Sequence, residues 1–168
     1  LGLVGSEMCI RDSVQSIRSG EAAVFEVPQP TVTEGQILVQ VQASLVSAGT
    51  ERMVVDFAEK NLLQKARSRP DLVRQTVDKA RREGVLTTLE AVQNRLDRPM
   101  ALGYACAGTV IAVGDGVAGF EVGERVACAG AGYAVHAEVI SVPQNLAVKL
   151  PEGAGFDAAA FTTLGAIA

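Results

Sequence analysis

The chain is poor in the residues that most often mark metal, disulfide or cofactor sites. Its 168 residues include no Trp, one His and three Cys, and only 4% are aromatic. The cysteines, Cys9, Cys106 and Cys128, form no CxxC pair, and their odd number favours reduced thiols over a disulfide framework. A single His cannot form a metal site by itself. We therefore expect buried, structural cysteines in a reducing compartment.

Long apolar runs and a strong excess of one charge are missing as well. No window approaches the roughly 18 uncharged apolar residues that a bilayer-spanning helix needs, and the formal net charge is −4. These absences argue against a membrane or a nucleic acid as partner. The 48% of apolar residues instead predicts one globular domain with a core of mainly Val, Ala and Leu. We expect a cytoplasmic location.

Both ends of the chain differ from its middle. Residues 1–13, LGLVGSEMCIRDS, match neither a targeting signal nor the strand pattern that follows, so we expect a non-native leader here. Residues 156–168, FDAAAFTTLGAIA, have an apolar helical pattern that Asp157 could cap, and they break off within that pattern. We therefore expect a fragment with one domain over residues 14–155, followed by the start of a further helix.

Hydrophobic periodicity predicts strands on both sides of a helical region. Residues 36–46 alternate apolar and polar side chains, as a half-buried strand does. The preceding AAVFEV pattern and the prolines after it predict an N-terminal hairpin with this strand. From Ala107 onward, the patterns TVIAV, ERVACA, AEVISV and LAVKL alternate with Gly-rich turns, which indicates an antiparallel assembly.

Residues 50–98 have a helical pattern instead, with segments divided at Pro70 and Gly84. Ten of the 15 Lys and Arg residues lie between residues 60 and 98. Solvated helix faces routinely collect such charge, so we interpret this region as a helical insert and not as an anion-binding site.

The residues Gly114 to Gly119 form a literal GxGxxG after an apolar strand pattern. In a dinucleotide site these glycines open a helix whose N-terminus faces the pyrophosphate. The sequence that follows, FEVGERVACA, has no helical stripe. We therefore predict a tight connection between strands, in which glycines supply positive φ. For His136, in the strand-like YAVHAEV, a surface or hydrogen-bonded side chain is the favoured interpretation.

Three stretches of the chain carry a further pattern. Residues 43–51, ASLVSAGTE, are similar to a stretch ending Cys-Gly-Thr-Asp, and residues 102–105, LGYA, are similar to Leu-Gly-His-Glu. Residues 113–126 closely match V-G-x-G-V-x-x-F-x-V-G-D-R-V. Together they resemble the medium-chain dehydrogenase/reductase family. The resemblance implies an α+β, β-rich fold, a GroES-like partly open antiparallel β-barrel, with the Rossmann domain of that family missing from this chain.

Zinc-dependent members of that family hold their catalytic metal with Cys, His and a third ligand. The resemblance places Ala48, Tyr104 and Thr163 at those positions, and none of these is a competent zinc ligand. The family's four-cysteine structural zinc lobe is also missing, because ACAGAGYAVH contains only Cys128. The resemblance therefore implies a zinc-independent member with no metal.

Hydrogen-bond donors would then have to polarise the substrate oxygen. The resemblance assigns this to Thr50 first, to Tyr104 and Ser47 next, and gives Glu51 the place of a supporting acid. Each has a structural alternative: Thr50 as a helix N-cap, Ser47 in a turn and Tyr104 in packing. Both interpretations stay open at this point.

The resemblance also implies NAD or NADP as cofactor, bound mainly by the missing domain, with Gly49, Thr163 and Ile167 on the cofactor side. It implies an oxidoreductase acting on an alcohol/carbonyl pair or a related reducible small molecule, with the insert as a substrate-side cap. Homo-oligomers through the missing domain are compatible with this, and the chain alone is expected to be inactive. The alternatives are a non-catalytic binding or scaffold domain with the same fold and, less favoured, a co-chaperonin-like ring.

Overall fold

The computed structural model describes residues 9–16, 21–49, 74, 78, 81–82, 84 and 100–168. The strands are β1 (Cys9–Gln15), β2 (Ala22–Pro28), β3 (Gln36–Ser44), β4 (Met100–Ala101), β5 (Ala105–Val113), β6 (Arg125–Ala129), β7 (Val139–Pro143) and β8 (Ala147–Lys149). A 3₁₀ turn covers Gln144–Leu146, and the α-helices described over their full length are α1 (Phe156–Ala159) and α2 (Thr162–Ile167). None of the described helices has the length and apolar character to cross a lipid bilayer.

The chain divides into two compact units. The first contains Leu1–Ser13, Val24–Ser47 and Ala101–Ala168, and the second contains Val14–Ala23 and Ala48–Met100. The main body of the first unit is a five-stranded sheet with the order β7-β3-β5-β6-β8, in which every neighbouring pair is antiparallel. A smaller sheet has the order β2-β1-β4. The predicted antiparallel assembly of the four C-terminal strand patterns is therefore confirmed.

The core lies on the five-stranded sheet. Ile37 and Val39 of β3 are fully buried, whereas Gln40 and Gln42 are exposed, so the predicted alternation is confirmed from Val39 onward. Leu38 is also buried, at 6% exposure, so the alternation does not extend to the start of the strand. Valines of the neighbouring strands complete the core, with Val110, Val126 and Val142 at 0% exposure. Branched side chains of this kind pack well against a pleated surface.

Close backbone packing within the sheet requires glycine at one central position. A Cβ on Gly108 would lie 2.1 Å from the carbonyl oxygen of Gln40, to which β5 pairs through the neighbouring Thr109. No real Cβ can approach so closely, because the contact is with backbone and cannot move aside. Gly108 therefore sets the spacing of β3 and β5.

The GxGxxG segment forms the connection between β5 and β6 and opens no helix. Gly116 and Gly119 have φ of 74° and 85°, as predicted for a tight turn. Gly114 is needed for a different reason, because a Cβ there would lie 2.0 Å from the carbonyl oxygen of Thr33. The prediction of a turn is therefore confirmed. Close backbone packing at Gly114 is a second reason for glycine in this segment.

The predicted hairpin between AAVFEV and the next strand is wrong. β2 belongs to the small sheet, whereas β3 belongs to the five-stranded sheet. Both edges of β3 are already occupied by β5 and β7. Pro28 at the end of β2 and Pro30 just after it also lack the N–H groups that would continue a ladder.

The C-terminal segment is helical as predicted, but in two short pieces. Gly155, not Asp157, is the N-cap of α1, and Asp157 lies within its first turn. Arg125 of β6 donates a hydrogen bond to the carbonyl oxygen of Ala154 and places its guanidinium 4.4 Å from the ring centroid of Phe156. A small apolar cluster joins this helix to the sheet, consisting of Ala107, Ala127 and Ala159 with Leu150 and Phe156 against them.

In the second unit, the described part of the predicted insert is helical. Arg74, Asp78, Arg81 and Arg82 have helical backbone, and Gly84 has φ of 95°, which agrees with a helix that ends before this glycine. Arg81 and Asp78 form an exposed ion pair at 4.0 Å. The remainder of the insert, including the rest of the prediction for residues 50–98, lies outside the described residues.

Two further predictions concern β1 and the cysteines. Residues 9–13, expected as part of a non-native leader, form the first part of β1, and Ile10 is 6% exposed. The origin of this segment stays a prediction. Cys106 and Cys128 are buried as expected, whereas Cys9 is exposed, which corrects the expectation that all three are buried.

Candidate functional site

The pairing of β3 with β5 positions two of the predicted hydrogen-bond donors. Ser44 lies opposite Cys106 in the register, and the N–H of Leu45 donates to the carbonyl oxygen of Ala105 at 3.0 Å. Because the strands are antiparallel, the residues after Ser44 run beside those before Cys106. Ser47 and Tyr104 therefore lie at the same end of this strand pair.

The backbone at Tyr104 is fixed by its neighbours. Its carbonyl oxygen accepts a hydrogen bond from the N–H of Gly130 at 2.9 Å, just after the end of β6. Two residues earlier, the N–H of Leu102 donates to the carbonyl oxygen of Ser13 at 3.0 Å. The Tyr104 side chain is half-buried. Hydrogen bonds therefore hold the backbone of this segment from two sides. A fixed backbone of this kind helps to position the Tyr104 side chain accurately.

His136 lies beside both of these segments, which sequence reasoning did not reveal. Its N–H donates to the carbonyl oxygen of Leu102 at 2.8 Å, and its Nδ1 lies 2.9 Å from Ser44 Oγ. Its ring packs on Gly103, where a Cβ would lie 2.9 Å from Cε1 and Nδ1. The favoured interpretation of a hydrogen-bonded histidine agrees with this structure. No sequence spacing connects residues 44, 103 and 136, so only the topology could show their proximity.

An open groove of about 380 Å³ lies next to His136. It is lined by Arg11, Ser13, Val24, Val41, Gln42, Ala43, Ser44, His136, Ala137 and Glu138. Neither Ser47 nor Tyr104 lines it. The predicted donors and this groove are therefore separate features of the first unit.

The charges in the groove are paired with each other. Glu138 accepts hydrogen bonds from the backbone N–H and from Nε of Arg11, both at 2.9 Å, and Nη2 also lies 2.9 Å from its Oε1. The hydrogen bond from the Arg11 backbone, with the side chain adding to it, lowers the pKa of Glu138 below its usual range. Burial raises the pKa of the adjacent Asp12. Because the Arg11 guanidinium is already paired with Glu138, we do not expect the groove to bind an anion through this arginine.

The remaining predicted site residues are only partly described. Thr50 and Glu51 lie outside the described residues. Gly49 is exposed and belongs to the second unit. Thr163 is half-buried and Ile167 is 76% exposed, at i and i+4 of α2 and hence on one side of this helix. Their assignment to a substrate or cofactor stays a prediction.

The residues at the family's zinc positions lack the side-chain ligands that zinc requires. Ala48 has no donor atom, and the hydroxyls of Tyr104 and Thr163 are not the Cys, His or carboxylate ligands that zinc requires. Among the described residues, no group of three or more His, Cys, Asp or Glu side chains is arranged to hold a metal ion. The residues at these positions therefore do not fit zinc.

Residues 76–152 match the family model described as the alcohol dehydrogenase GroES-like domain. The described part of this range contains the strands β5 to β8, which form most of the five-stranded sheet. This match supports the resemblance to a GroES-like domain of the medium-chain dehydrogenase/reductase family that the sequence motifs indicate. The β-rich fold predicted from the sequence is thereby confirmed, with open sheets in place of a closed barrel among the described strands.

Curated relatives match a part of the chain. The synaptic vesicle membrane protein VAT-1 homolog-like of mouse and of human is 39% identical over 71 residues, which is 42% of this chain and 17% of the relative. The chain thus matches less than a fifth of the length of these relatives.

Solved structures resemble most of the chain at low identity. The human VAT-1 homolog-like protein has a TM-score of 0.60 at 20% identity, covering 91% of this chain and 39% of its own. A mycobacterial protein solved with NADPH has a TM-score of 0.57 at 20% identity, covering 90% and 35%. An alcohol dehydrogenase superfamily protein from Novosphingobium aromaticivorans has a TM-score of 0.58 at 22% identity, covering 89% and 36%. These likenesses show the shared fold.

Proposed function

We propose that this GroES-like domain is the substrate-side part of a zinc-independent, NAD(P)-dependent oxidoreductase that acts on an alcohol/carbonyl pair or a related reducible group. The observation that carries the proposal is the placement of Ser47 and Tyr104 at one end of the β3–β5 pair. The resemblance assigns the position of Tyr104 to a zinc ligand in zinc-dependent members of the family. The match to the alcohol dehydrogenase family model and the NADPH in the mycobacterial neighbour support it.

The chemistry assigned to this chain is polarisation of a substrate oxygen. A phenol or hydroxyl that donates a hydrogen bond to a carbonyl oxygen stabilises the negative charge that develops there during reduction. A fixed backbone at the donor reduces the reorganisation needed in the reaction, and the Tyr104 carbonyl and Leu102 N–H are both held. Thr50 is proposed to relay the substrate proton, with Glu51 in support.

The nicotinamide supplies the hydride when it is bound, and a further domain is proposed to bind most of it. The GxGxxG segment connects two antiparallel strands, so it does not aim a helix N-terminus at a pyrophosphate. Gly49, Thr163 and Ile167 are proposed to contact the cofactor from this domain. Calorimetric titration of the chain with NADH and NADPH is expected to show no micromolar binding.

The test replaces Tyr104 and Tyr133, one at a time, in a form of the protein that includes the proposed cofactor-binding domain. Y104F is expected to lower kcat/KM for NAD(P)H-dependent reduction of carbonyl substrates by about 100-fold, the usual cost of losing one such donor. Y133F is the matched control, because Tyr133 is 42% exposed in the turn after β6.

Equal activity of Y104F and Y133F would show that the Tyr104 hydroxyl takes no part in the reaction. A protein that turns over none of the alcohols, aldehydes, ketones or quinones offered with either nicotinamide would favour the binding or scaffold alternative. Zinc analysis of the purified protein is an independent check, since a stoichiometric zinc content would overturn the zinc-independent part of the proposal.

A further inference from the structure

Cys106 and Cys128 face each other across two adjacent strands. They occupy directly opposite positions in the antiparallel register of β5 and β6. Both are free thiols, with exposures of 1% and 2%. Directly opposite side chains point to the same face of a sheet, with Cβ atoms about 4.5–5.5 Å apart. A disulfide needs Cβ atoms about 3.5–4.5 Å apart, so a small approach of the two strands suffices.

The pair lies in the apolar interior of the first unit. Contact with the Cys106 thiol, together with burial, raises the pKa of the Cys128 thiol well above its usual range. Both cysteines belong to the main apolar core cluster. Burial in this cluster shields both thiols from solvent, so we expect their oxidation to be slow.

We propose that Cys106 and Cys128 form an oxidation site at which a peroxide converts the two thiols into a cross-strand disulfide. One thiol loses its proton and attacks a peroxide oxygen, which breaks the O–O bond and gives a sulfenic acid and water. The second thiol then attacks that sulfur, forms the S–S bond and releases a second water. Each sulfur is oxidised by one electron, and the peroxide accepts both electrons.

The place of this pair in the fold gives the disulfide a structural effect. Cys106 lies two residues after Tyr104, and Cys128 lies two residues before Gly130. The Gly130 N–H donates to the Tyr104 carbonyl oxygen at 2.9 Å. A bond between the two sulfurs would therefore fix the end of the β5–β6 pair that holds Tyr104.

The experiment uses the full chain carrying C9S, which removes the exposed thiol. The protein is exposed to hydrogen peroxide at neutral pH for a prolonged period, because buried thiols react slowly. Mass spectrometry of the intact chain should show the loss of two hydrogen atoms, reversed by dithiothreitol. Peptide mapping should then link Cys106 to Cys128.

C9S/C106A and C9S/C128A are the matched controls, and neither should lose two hydrogens. Oxidation of C9S should raise Tm by about 5–10 °C, since a cross-link constrains the unfolded chain. If these controls do not fold, peptide mapping of C9S alone still decides. A C9S chain that remains fully reduced after prolonged exposure to peroxide overturns the proposal, as does accumulation of sulfinic or sulfonic acid without a linked peptide.

Discussion

The five-stranded sheet and the helical segment after it are both rich in apolar residues, yet they bury them very differently. Ile37 and Val110 of the sheet are at 0% exposure, whereas Phe161 and Ile167 of the helical segment are 55% and 76% exposed. β3 and β5 each have a paired strand on both sides. The helices α1 and α2 contain four and six residues, too short to be stable without tertiary packing.

In this chain, an apolar sequence pattern therefore indicates burial only where paired strands surround it. Within the helical segment, the buried side chains are small, with Ala159 and Ala160 at 6% and 3% exposure. Of the large apolar side chains in this segment, Phe161, Leu164 and Ile167 are exposed, whereas Phe156 is partly buried against the sheet. Stability of the first unit should therefore depend on the sheet far more than on α1 and α2.

The largest expected effect is at Gly108. G108A places a Cβ 2.1 Å from the backbone of Gln40, so β3 and β5 must separate, and we expect a loss of at least about 3 kcal/mol in the free energy of unfolding. G155A is the matched control at the start of α1, because a Cβ there meets nothing within 4 Å. Chemical denaturation measures both. Equal stability of the two variants would contradict the role of close strand packing.

The next effect compares the same substitution in the two regions. I37A removes a fully buried side chain and should cost about 2–5 kcal/mol, whereas I167A should change stability by no more than about 0.5 kcal/mol. Urea unfolding followed by circular dichroism gives both values. If I167A cost as much as I37A, the helical segment would be contributing to the core after all.

A smaller, pH-dependent effect is expected at the sheet edge. Glu124 accepts a hydrogen bond from Lys149 of β8, and this bond is the main cause that lowers the pKa of Glu124 below its usual range. The stabilisation is therefore present above the ordinary glutamate pKa and is lost as the pH falls through the lowered value. E124Q should reduce Tm slightly at pH 7 and converge with the parent in acid.

The control for this experiment is E152Q, which alters an exposed carboxylate in the turn before α1. Its Tm difference from the parent should depend less on pH than that of E124Q. A Tm difference for E124Q that is constant from neutral to acid pH would show that the Glu124–Lys149 bond contributes nothing to folding.

Much of this fold could be predicted from local patterns. Alternation in residues 36–46 correctly predicted a half-buried strand, and the lack of a helical stripe after Gly119 correctly predicted a turn. The hairpin between β2 and β3 failed because strand pairing depends on which partners compete for an edge, and β5 and β7 occupy both edges of β3. Asp157 failed as a cap because helix boundaries shift by one or two residues with packing.

The candidate site was less accessible to prediction. The resemblance placed Ser47 and Tyr104 together, and the antiparallel register brings them to the same strand end. The contacts of His136 with Ser44 and Gly103 could not be inferred from the sequence, because these residues lie far apart in the chain. Such contacts follow from topology alone.

Arg125 shows why one residue of the V-G-E-R-V run is arginine. Its guanidinium both donates to the Ala154 carbonyl oxygen and covers the Phe156 ring. A lysine would keep the positive charge, but its single ammonium group has no planar surface to stack on the ring while also reaching the carbonyl. Exchange of one cation for the other is therefore not conservative here, and this arginine serves the architecture of the domain and not its chemistry.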